Sequence, residues 1–168
     1  QFIDKQDIKE VVKTLKSDYL TQGPAVNRFE KNINSFFGSK YSLAVSNGTS
    51  ALYLAGRALK WSKKSTIITT PLTFVAGANV AEILGAKVIF IDIDPNTYCI
   101  DTVLLEKYLK NNKKKITSLI ATDYAGHACD WKKLKFLSKK YKFTLVNDNC
   151  HSIGTEYFGD RKYASKYA

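Results

Sequence analysis

A chain of 168 residues, with 45% hydrophobic and 24% charged residues, has the size and composition of a globular domain with a core of its own. No apolar run approaches the roughly 18 residues that a membrane-spanning helix needs, and the polar residues 1–10 do not have the pattern of a secretion signal. The net charge of +11 raises the question of nucleic-acid binding, but the lysines are scattered in polar stretches, as in solvated helix ends and loops. We expect neither a membrane nor a nucleic-acid partner, although a basic surface is compatible with phosphorylated substrates.

The three cysteines, Cys99, Cys129 and Cys150, form no dense disulfide framework and leave one thiol over. This usage is typical of a reducing compartment, so we expect a cytoplasmic protein. Histidines lie close to two of the cysteines, but the paired spacing of zinc ligands is missing. We therefore expect no metal site.

Amphipathic segments of helical period alternate with apolar runs of strand length along the chain. The predicted helices are 4–16, 26–37, 50–59, 74–84, 101–109 and 130–140, and the predicted strands are 41–45, 65–70, 88–91, 116–121 and 143–146. Asp101 and Asp130 stand where N-cap residues are favoured. The alternation predicts an α/β fold with a mostly parallel sheet flanked by helices, over residues 23–168, after a separate N-terminal arm over 1–22.

In such sheets ligands bind beyond the carboxyl ends of the strands, so the loops after the strands are the candidate site. The first of these loops, residues 46–50, has the sequence Ser-Asn-Gly-Thr-Ser and leads into a predicted helix. Its glycine, hydroxyls and helix-start N–H groups suit a phosphate. Simple N-capping by Thr49 or Ser50 explains the same residues, and both interpretations stay open. The phosphate loops of dinucleotide and ATP sites, G-x-G-x-x-G and G-x-x-x-x-G-K-[ST], do not occur.

Three further loops carry unusual residues. Phe74 opens a predicted helix after the second strand and could lie on a planar ring, or pack in the core. Tyr124 stands among small residues that leave room for a ligand. Asp148 ends an apolar strand at the ligand edge, where its carboxylate could contact a ring nitrogen of a ligand or simply cap the turn. His151 follows three residues later and could contact a ring oxygen or be a structural histidine. Four such loops on successive strand ends are a rarer coincidence than any one of them, which favours a ligand site.

An ordered set of motifs extends over essentially the whole chain. These are residues 20–24 with Phe29-Glu30, then 46–52, 69–75, 85–86 and 92–94, and finally 147–157 with the sequence NDNCHSIGTEY. Together they resemble the DegT/StrS family of pyridoxal-phosphate (PLP) sugar aminotransferases. The resemblance implies part of the large domain of the aspartate-aminotransferase-type fold, PLP fold type I.

The resemblance also implies roles for the residues. Thr49 and Ser50 would hold the PLP phosphate, Phe74 would stack on the ring, Asp148 would bind the pyridinium nitrogen and His151 would lie near the ring oxygen. L-Glutamate would give the amino group and a keto sugar linked to UDP or dTDP would receive it. The 123–126 and 151–157 segments are most similar to the branch that aminates UDP-4-keto-6-deoxy-N-acetylhexosamine for pseudaminic acid, with Tyr124 as a substrate contact. Family members are typically homodimers.

One departure from the family concerns the lysine that forms the Schiff base with PLP. In the family it lies in a Ser-Phe-His-x-x-Lys type segment beyond the aspartate motif, and neither Lys162 nor Lys166 matches that segment. We expect this lysine beyond residue 168, and we expect the 168 residues alone to lack turnover because the lysine also moves the α-proton. Two alternatives remain: a non-catalytic domain that binds PLP or a nucleotide sugar, and a dehydratase variant with histidine in place of the lysine.

Overall fold

The computed structural model describes residues 2–168. Their contacts define two compact units, one extending to Ala44 and the other from Val45 to Ala168. The predicted domain boundary at residue 22 stays a prediction.

The first unit contains two helices, α1 (Lys5–Leu15) and α2 (Pro24–Phe37). α1 begins with a capping box, in which Asp4 accepts from the N–H of Asp7 and the Asp7 side chain accepts from the N–H of Asp4. α2 has proline at its first position and ends at Gly38, which adopts a left-handed backbone with φ 66°. Both helices confirm the predicted segments to within two residues at each end.

The predicted strand over 41–45 is wrong. No described residue pairs with it as a strand, and the N–H of Ala44 donates instead to the Glu30 carboxylate of α2, at 2.8 Å. Tyr41 and Leu43, the apolar residues of the alternating pattern, are 77% and 72% exposed. The Glu30 side chain of α2 therefore occupies the Ala44 N–H group, which a neighbouring strand would otherwise bind. The alternating apolar side chains of this segment are not buried.

The second unit is a four-stranded parallel sheet with helices on both faces. Its elements are α3 (Gly48–Ala58), β1 (Thr66–Thr69), α4 (Ala76–Ile83), β2 (Lys87–Phe90), α5 (Thr102–Asn111), β3 (Ser118–Thr122), a 3-10 turn (Tyr124–Gly126), α6 (Trp131–Tyr141), β4 (Thr144–Asp148) and α7 (Tyr163–Tyr167). The strand order is β2-β1-β3-β4, and all three pairings are parallel. The predicted α/β architecture is confirmed, and so are the N-caps Asp101 and Asp130.

Alternating strand residues divide the core between the two faces of the sheet. Ile67 and Ile120 belong to a cluster with residues of α3 and α4. Their sequence neighbours Ile68 and Leu119 belong to a larger cluster with residues of α5, α6 and α7. α7 has no counterpart among the predicted helices, and its Tyr163 is one of the most deeply buried side chains of the larger cluster.

Three features bear on the expectations from composition. Within residues 2–168, no helix combines the length and the apolar character needed to cross a membrane. Over the same residues, no group of three or more histidine, cysteine, aspartate or glutamate side chains is arranged to hold a metal ion. The three cysteines are free thiols; Cys99 and Cys129 are buried and Cys150 is exposed.

Candidate cofactor-binding site

A cavity of about 380 Å³ lies at the carboxyl ends of β3 and β4, beside the start of α3. This volume is within the range of small-molecule sites, roughly 300–1,000 Å³. Four of the predicted site residues line it: Thr49, Phe74, Asp148 and His151. The other lining residues are Asn47, Gly48, Leu52, Thr73, Ala76, Thr122 and Cys150. The structure thus brings residues 47–49, which follow the non-strand segment 41–45, together with the loops after β1 and β4.

The start of α3 supplies hydrogen-bond donors to the cavity. Asn47 is the N-cap, and its side-chain oxygen accepts from the N–H of Ser50 at 2.9 Å. Asn47 therefore caps the N-terminus of α3, and the interpretation of Thr49 or Ser50 as the N-cap is wrong. Among the described residues, the N–H groups of Gly48 and Thr49 and the Thr49 hydroxyl have no hydrogen-bond partner. These donors, at the positive end of the helix, suit an anion.

Ser50 is placed differently from Thr49. It does not line the cavity, and its hydroxyl lies 3.1 Å from the hydroxyl of Ser46. Its N–H is already used by Asn47. Ser50 could therefore bind a phosphate only through its hydroxyl, and its predicted phosphate contact stays a prediction.

Asp148 ends β4 and is 9% exposed. Its Oδ1 accepts from the N–H of Cys150 at 3.2 Å, and the Cys150 thiol also hydrogen-bonds this carboxylate. Both donors are neutral, and no lysine or arginine of residues 2–168 forms an ion pair with this nearly buried negative charge. Asp148 is therefore equipped to receive a charged donor from a ligand in the cavity.

Cys150 narrows the cavity between β4 and α3. Burial of its thiol, together with the hydrogen bond and negative charge of Asp148, raises the pKa of Cys150 to about 11. The thiol is therefore neutral at physiological pH and does not compete with Asp148 as an acceptor of positive charge.

Phe74 and Thr73 form another wall of the cavity. The predicted helix start at Phe74 is wrong, because α4 begins at Ala76 and Phe74 lies in the preceding turn. Phe74 is 66% exposed, so it is not a core residue of the described chain. The Thr73 hydroxyl lies 3.1 Å from that of Thr122, which pairs in register with Asp148. Thr73 and Thr122 were missed from the sequence, although Thr122 is recognisable as a strand end.

Tyr124 does not line the cavity. Its ring packs edge-on against the His151 imidazole, with centroids 5.6 Å apart. Ala125 and Gly126 beside it adopt left-handed backbones with φ 51° and 88°, and a Cβ added at Gly126 would meet no atom within 4 Å. Tyr124 therefore contacts His151 without lining the cavity itself. Its predicted substrate contact stays a prediction.

Gly48 is the point of closest approach between α3 and the β4 loop. A Cβ added there would lie 2.9 Å from the Sγ of Cys150. We expect Gly48→Ala to lower the free energy of unfolding by about 1 kcal/mol through overpacking, and to raise it in a Cys150→Ala background, where helix propensity alone acts. Urea unfolding of the four proteins measures this coupling. Equal effects in both backgrounds would show that the two sites do not interact.

A model of the DegT/DnrJ/EryC1/StrS aminotransferase family matches residues 1–167. The chain belongs to this family. It is 40% identical over 161 residues to the UDP-4-amino-4,6-dideoxy-N-acetyl-beta-L-altrosamine transaminase of Campylobacter jejuni subsp. jejuni serotype O:23/36 (strain 81-176), which covers 96% of this chain and 42% of that protein.

Two solved structures are also similar to this chain. Helicobacter pylori PseC, an aminotransferase involved in the biosynthesis of pseudoaminic acid, matches with a TM-score of 0.84 and 32% identity, over 95% of this chain and 42% of that one. NtdA from Bacillus subtilis, with bound cofactor PMP (pyridoxamine phosphate), matches with a TM-score of 0.84 and 25% identity, over 99% and 37%. The predicted family and the PLP fold type I are confirmed, and the chain spans about two fifths of the length of these relatives.

Proposed function

We propose that this DegT/DnrJ/EryC1/StrS family member binds PLP in the cavity at the ends of β3 and β4 and belongs to a sugar aminotransferase. In this proposal L-glutamate donates the amino group, and the acceptor is a 4-keto-6-deoxy sugar linked to UDP or dTDP, for a surface polysaccharide or glycan. The observation that supports it best is the meeting of Thr49, Phe74 and Asp148 in one cavity.

The residues of the cavity fit the cofactor part by part. The unpartnered N–H groups at the start of α3 would receive the phosphate. The carboxylate of Asp148, which forms no ion pair with a described residue, would hold a proton on the ring nitrogen. When bound, the cofactor would supply an electron sink and carry the amino group between the two substrates.

Two further side chains would complete the site. The exposed ring of Phe74 would cover one face of the cofactor. His151, held edge-on by Tyr124, would hydrogen-bond the ring oxygen. Ser50 would add its hydroxyl to the phosphate, and Tyr124 would reach the sugar once substrate is bound.

The finer assignments have separate support. The transaminase activity of the Campylobacter relative and the role of PseC in pseudoaminic acid biosynthesis favour a UDP-linked amino-sugar pathway for pseudaminic acid. Another relative, from Shewanella sediminis, is a UDP-4-amino-4-deoxy-L-arabinose–oxoglutarate aminotransferase, which favours glutamate as donor. Three free thiols favour the cytoplasm, and exposed apolar residues of α1, such as Val11 and Leu15, favour a homodimer.

Binding of PMP tests the proposal, because PMP carries an amine and needs no Schiff base. We expect saturable binding, followed by PMP fluorescence, and Thr49→Val to weaken it roughly ten-fold by removing one hydrogen bond to a charged group. Pyridoxamine, which lacks the phosphate, should bind wild type and Thr49→Val alike. The matched control is Thr14→Val, on α1. Absence of saturable PMP binding by the wild-type chain, or equal losses for PMP and pyridoxamine, would contradict the proposal.

A further inference from the structure

Asp123 is a fully buried carboxylate directly after β3, with 0% exposure. Its Oδ1 accepts from the N–H of Cys129 at 2.8 Å and from the indole N–H of Trp131 at 2.9 Å. Its Oδ2 accepts from the hydroxyl of Tyr163 at 2.8 Å and from the amide of Asn149 at 3.0 Å. All four donors are neutral groups.

Stability alone is a poor reason for such a residue. Removing a charge from water is costly, and an apolar residue of similar volume is often as stable or more so. No lysine or arginine of the described chain hydrogen-bonds this carboxylate. Both oxygens of the Asp123 carboxylate are nevertheless hydrogen-bonded twice, and a buried carboxylate bonded in this way fixes one arrangement of the donors that it joins.

The groups that Asp123 joins flank the site residues. Its carboxylate holds Asn149, and its carbonyl oxygen accepts from the hydroxyl of Ser152. Its N–H donates to the carbonyl of Asp148 at 3.1 Å. The segment 148–152, which contains His151, is therefore attached to residue 123 at three points.

The attachments come from the opposite side of the sheet. Trp131 and Tyr163 belong to the core cluster of α5, α6 and α7, whereas Asp148 lines a cavity with Leu52 and Ala76 of the other face. Asp123 is not one of the residues that line the cavity, so its effect on the site is indirect, and its own hydrogen bonds lead to the segment 148–152.

We propose that Asp123 is a positioning residue that sets the orientation of the Asp148 carboxylate and the His151 imidazole toward the bound cofactor. This inference rests on the proposed function. The sequence suggested that the segment 123–126 leaves room for a ligand. The inference adds a positioning role for Asp123, the first residue of that segment.

The decisive variant is Asp123→Asn. Its amide can keep the Oδ1 bonds to Cys129 and Trp131, but its NH2 group faces the NH2 group of Asn149, so the segment 148–152 loses the one of its three attachments that the carboxylate makes. We expect PMP to bind roughly ten-fold more weakly. We also expect the ring nitrogen of bound PMP to lose its proton at lower pH than in wild type, because Asp148 no longer faces it. The PMP spectrum, titrated with pH, measures this.

Leu137→Ala is the control for stability. Leu137 is fully buried in α6 on the same face and makes no bond to Asp123. It should lower the melting temperature and leave both the PMP affinity and the pH profile unchanged. The inference is overturned if Asp123→Asn binds PMP with the wild-type affinity and pH profile, or if Leu137→Ala changes them as much.

A ligand-free measurement separates this inference from the proposed function. We expect Asp123→Asn to speed hydrogen exchange of the Cys150 and Ser152 amides at least ten-fold, while amides of β1 keep the wild-type rate. Unchanged exchange overturns the positioning role whether or not PMP binds; faster exchange in a chain that does not bind PMP overturns only the proposed function. Should Asp123→Asn fail to fold, Asn149→Ala, which removes only the amide partner, is judged by the same criteria.

Discussion

Asp148→Asn is expected to weaken PMP binding by roughly 10–100-fold, the largest effect of any single change in the cavity. The substitution keeps the shape of the side chain and removes the negative charge that would face a protonated ring nitrogen. Since the N–H and the thiol of Cys150 that donate to Asp148 are neutral groups, the loss of negative charge falls mainly on the ligand and not on the fold. Calorimetric or fluorescence titration of PMP gives the ratio of affinities.

The pH dependence of this variant has a definite sign. A carboxylate beside the ring nitrogen favours the protonated ring, so wild-type binding should persist to higher pH than binding by Asp148→Asn. Asp101→Asn is the matched control, because it removes one negative charge at an N-cap where asparagine caps almost as well. If Asp148→Asn and Asp101→Asn bind PMP equally well, Asp148 does not face the cofactor.

Trp61→Ala is expected to lower the free energy of unfolding by about 3–5 kcal/mol. Trp61 is 5% exposed and is the largest side chain of the core cluster beneath α3 and α4. Its indole N–H donates to the buried Ser118 hydroxyl at 3.0 Å, and a Cβ added at Gly56 would lie 2.6 Å from its ring. A domain of this size is stable by only about 5–15 kcal/mol, so the loss is a large share. Urea unfolding measures it.

Part of this loss comes from the unpaired Ser118 hydroxyl. Trp61→Phe should cost less than Trp61→Ala, and Ser118→Ala in the Trp61→Phe background should restore about 1 kcal/mol. A loss of less than about 1 kcal/mol for Trp61→Ala would contradict the packing described. Because α3 begins with the donors of the cavity, Trp61→Ala should also weaken PMP binding at temperatures near its unfolding transition.

Local patterns predicted most of the fold because they have local causes. Asp101 and Asp130 cap helices through bonds to N–H groups two or three residues away, and the apolar runs become strands that are buried on both sides. Residues 41–45 have the same alternation, but their outcome depends on Glu30, fourteen residues away from Ala44. Periodicity contains no information about such a partner.

The candidate site was predictable to the same extent. Phe74, Asp148 and His151 could be placed together because parallel strands place their following loops at one edge, whereas Thr49 lines the same cavity although the segment before it forms no strand. Asp123 could not be assigned its partners, because Tyr163 lies forty residues further along the chain in a helix without a clear sequence signal. Tyr124 was assigned to the substrate from the chemistry of its phenol, and that assignment contains no information about its contact with His151.

The edge-on contact between Tyr124 and His151 gives the cavity a built-in spectroscopic reporter. The sequence contains two histidines, and one of them, His151, lies against an aromatic ring and lines the cavity. Its imidazole protons therefore experience the ring current of the tyrosine. Proton NMR of an unlabelled sample can follow the entry of a small molecule through a single, readily assigned pair of resonances.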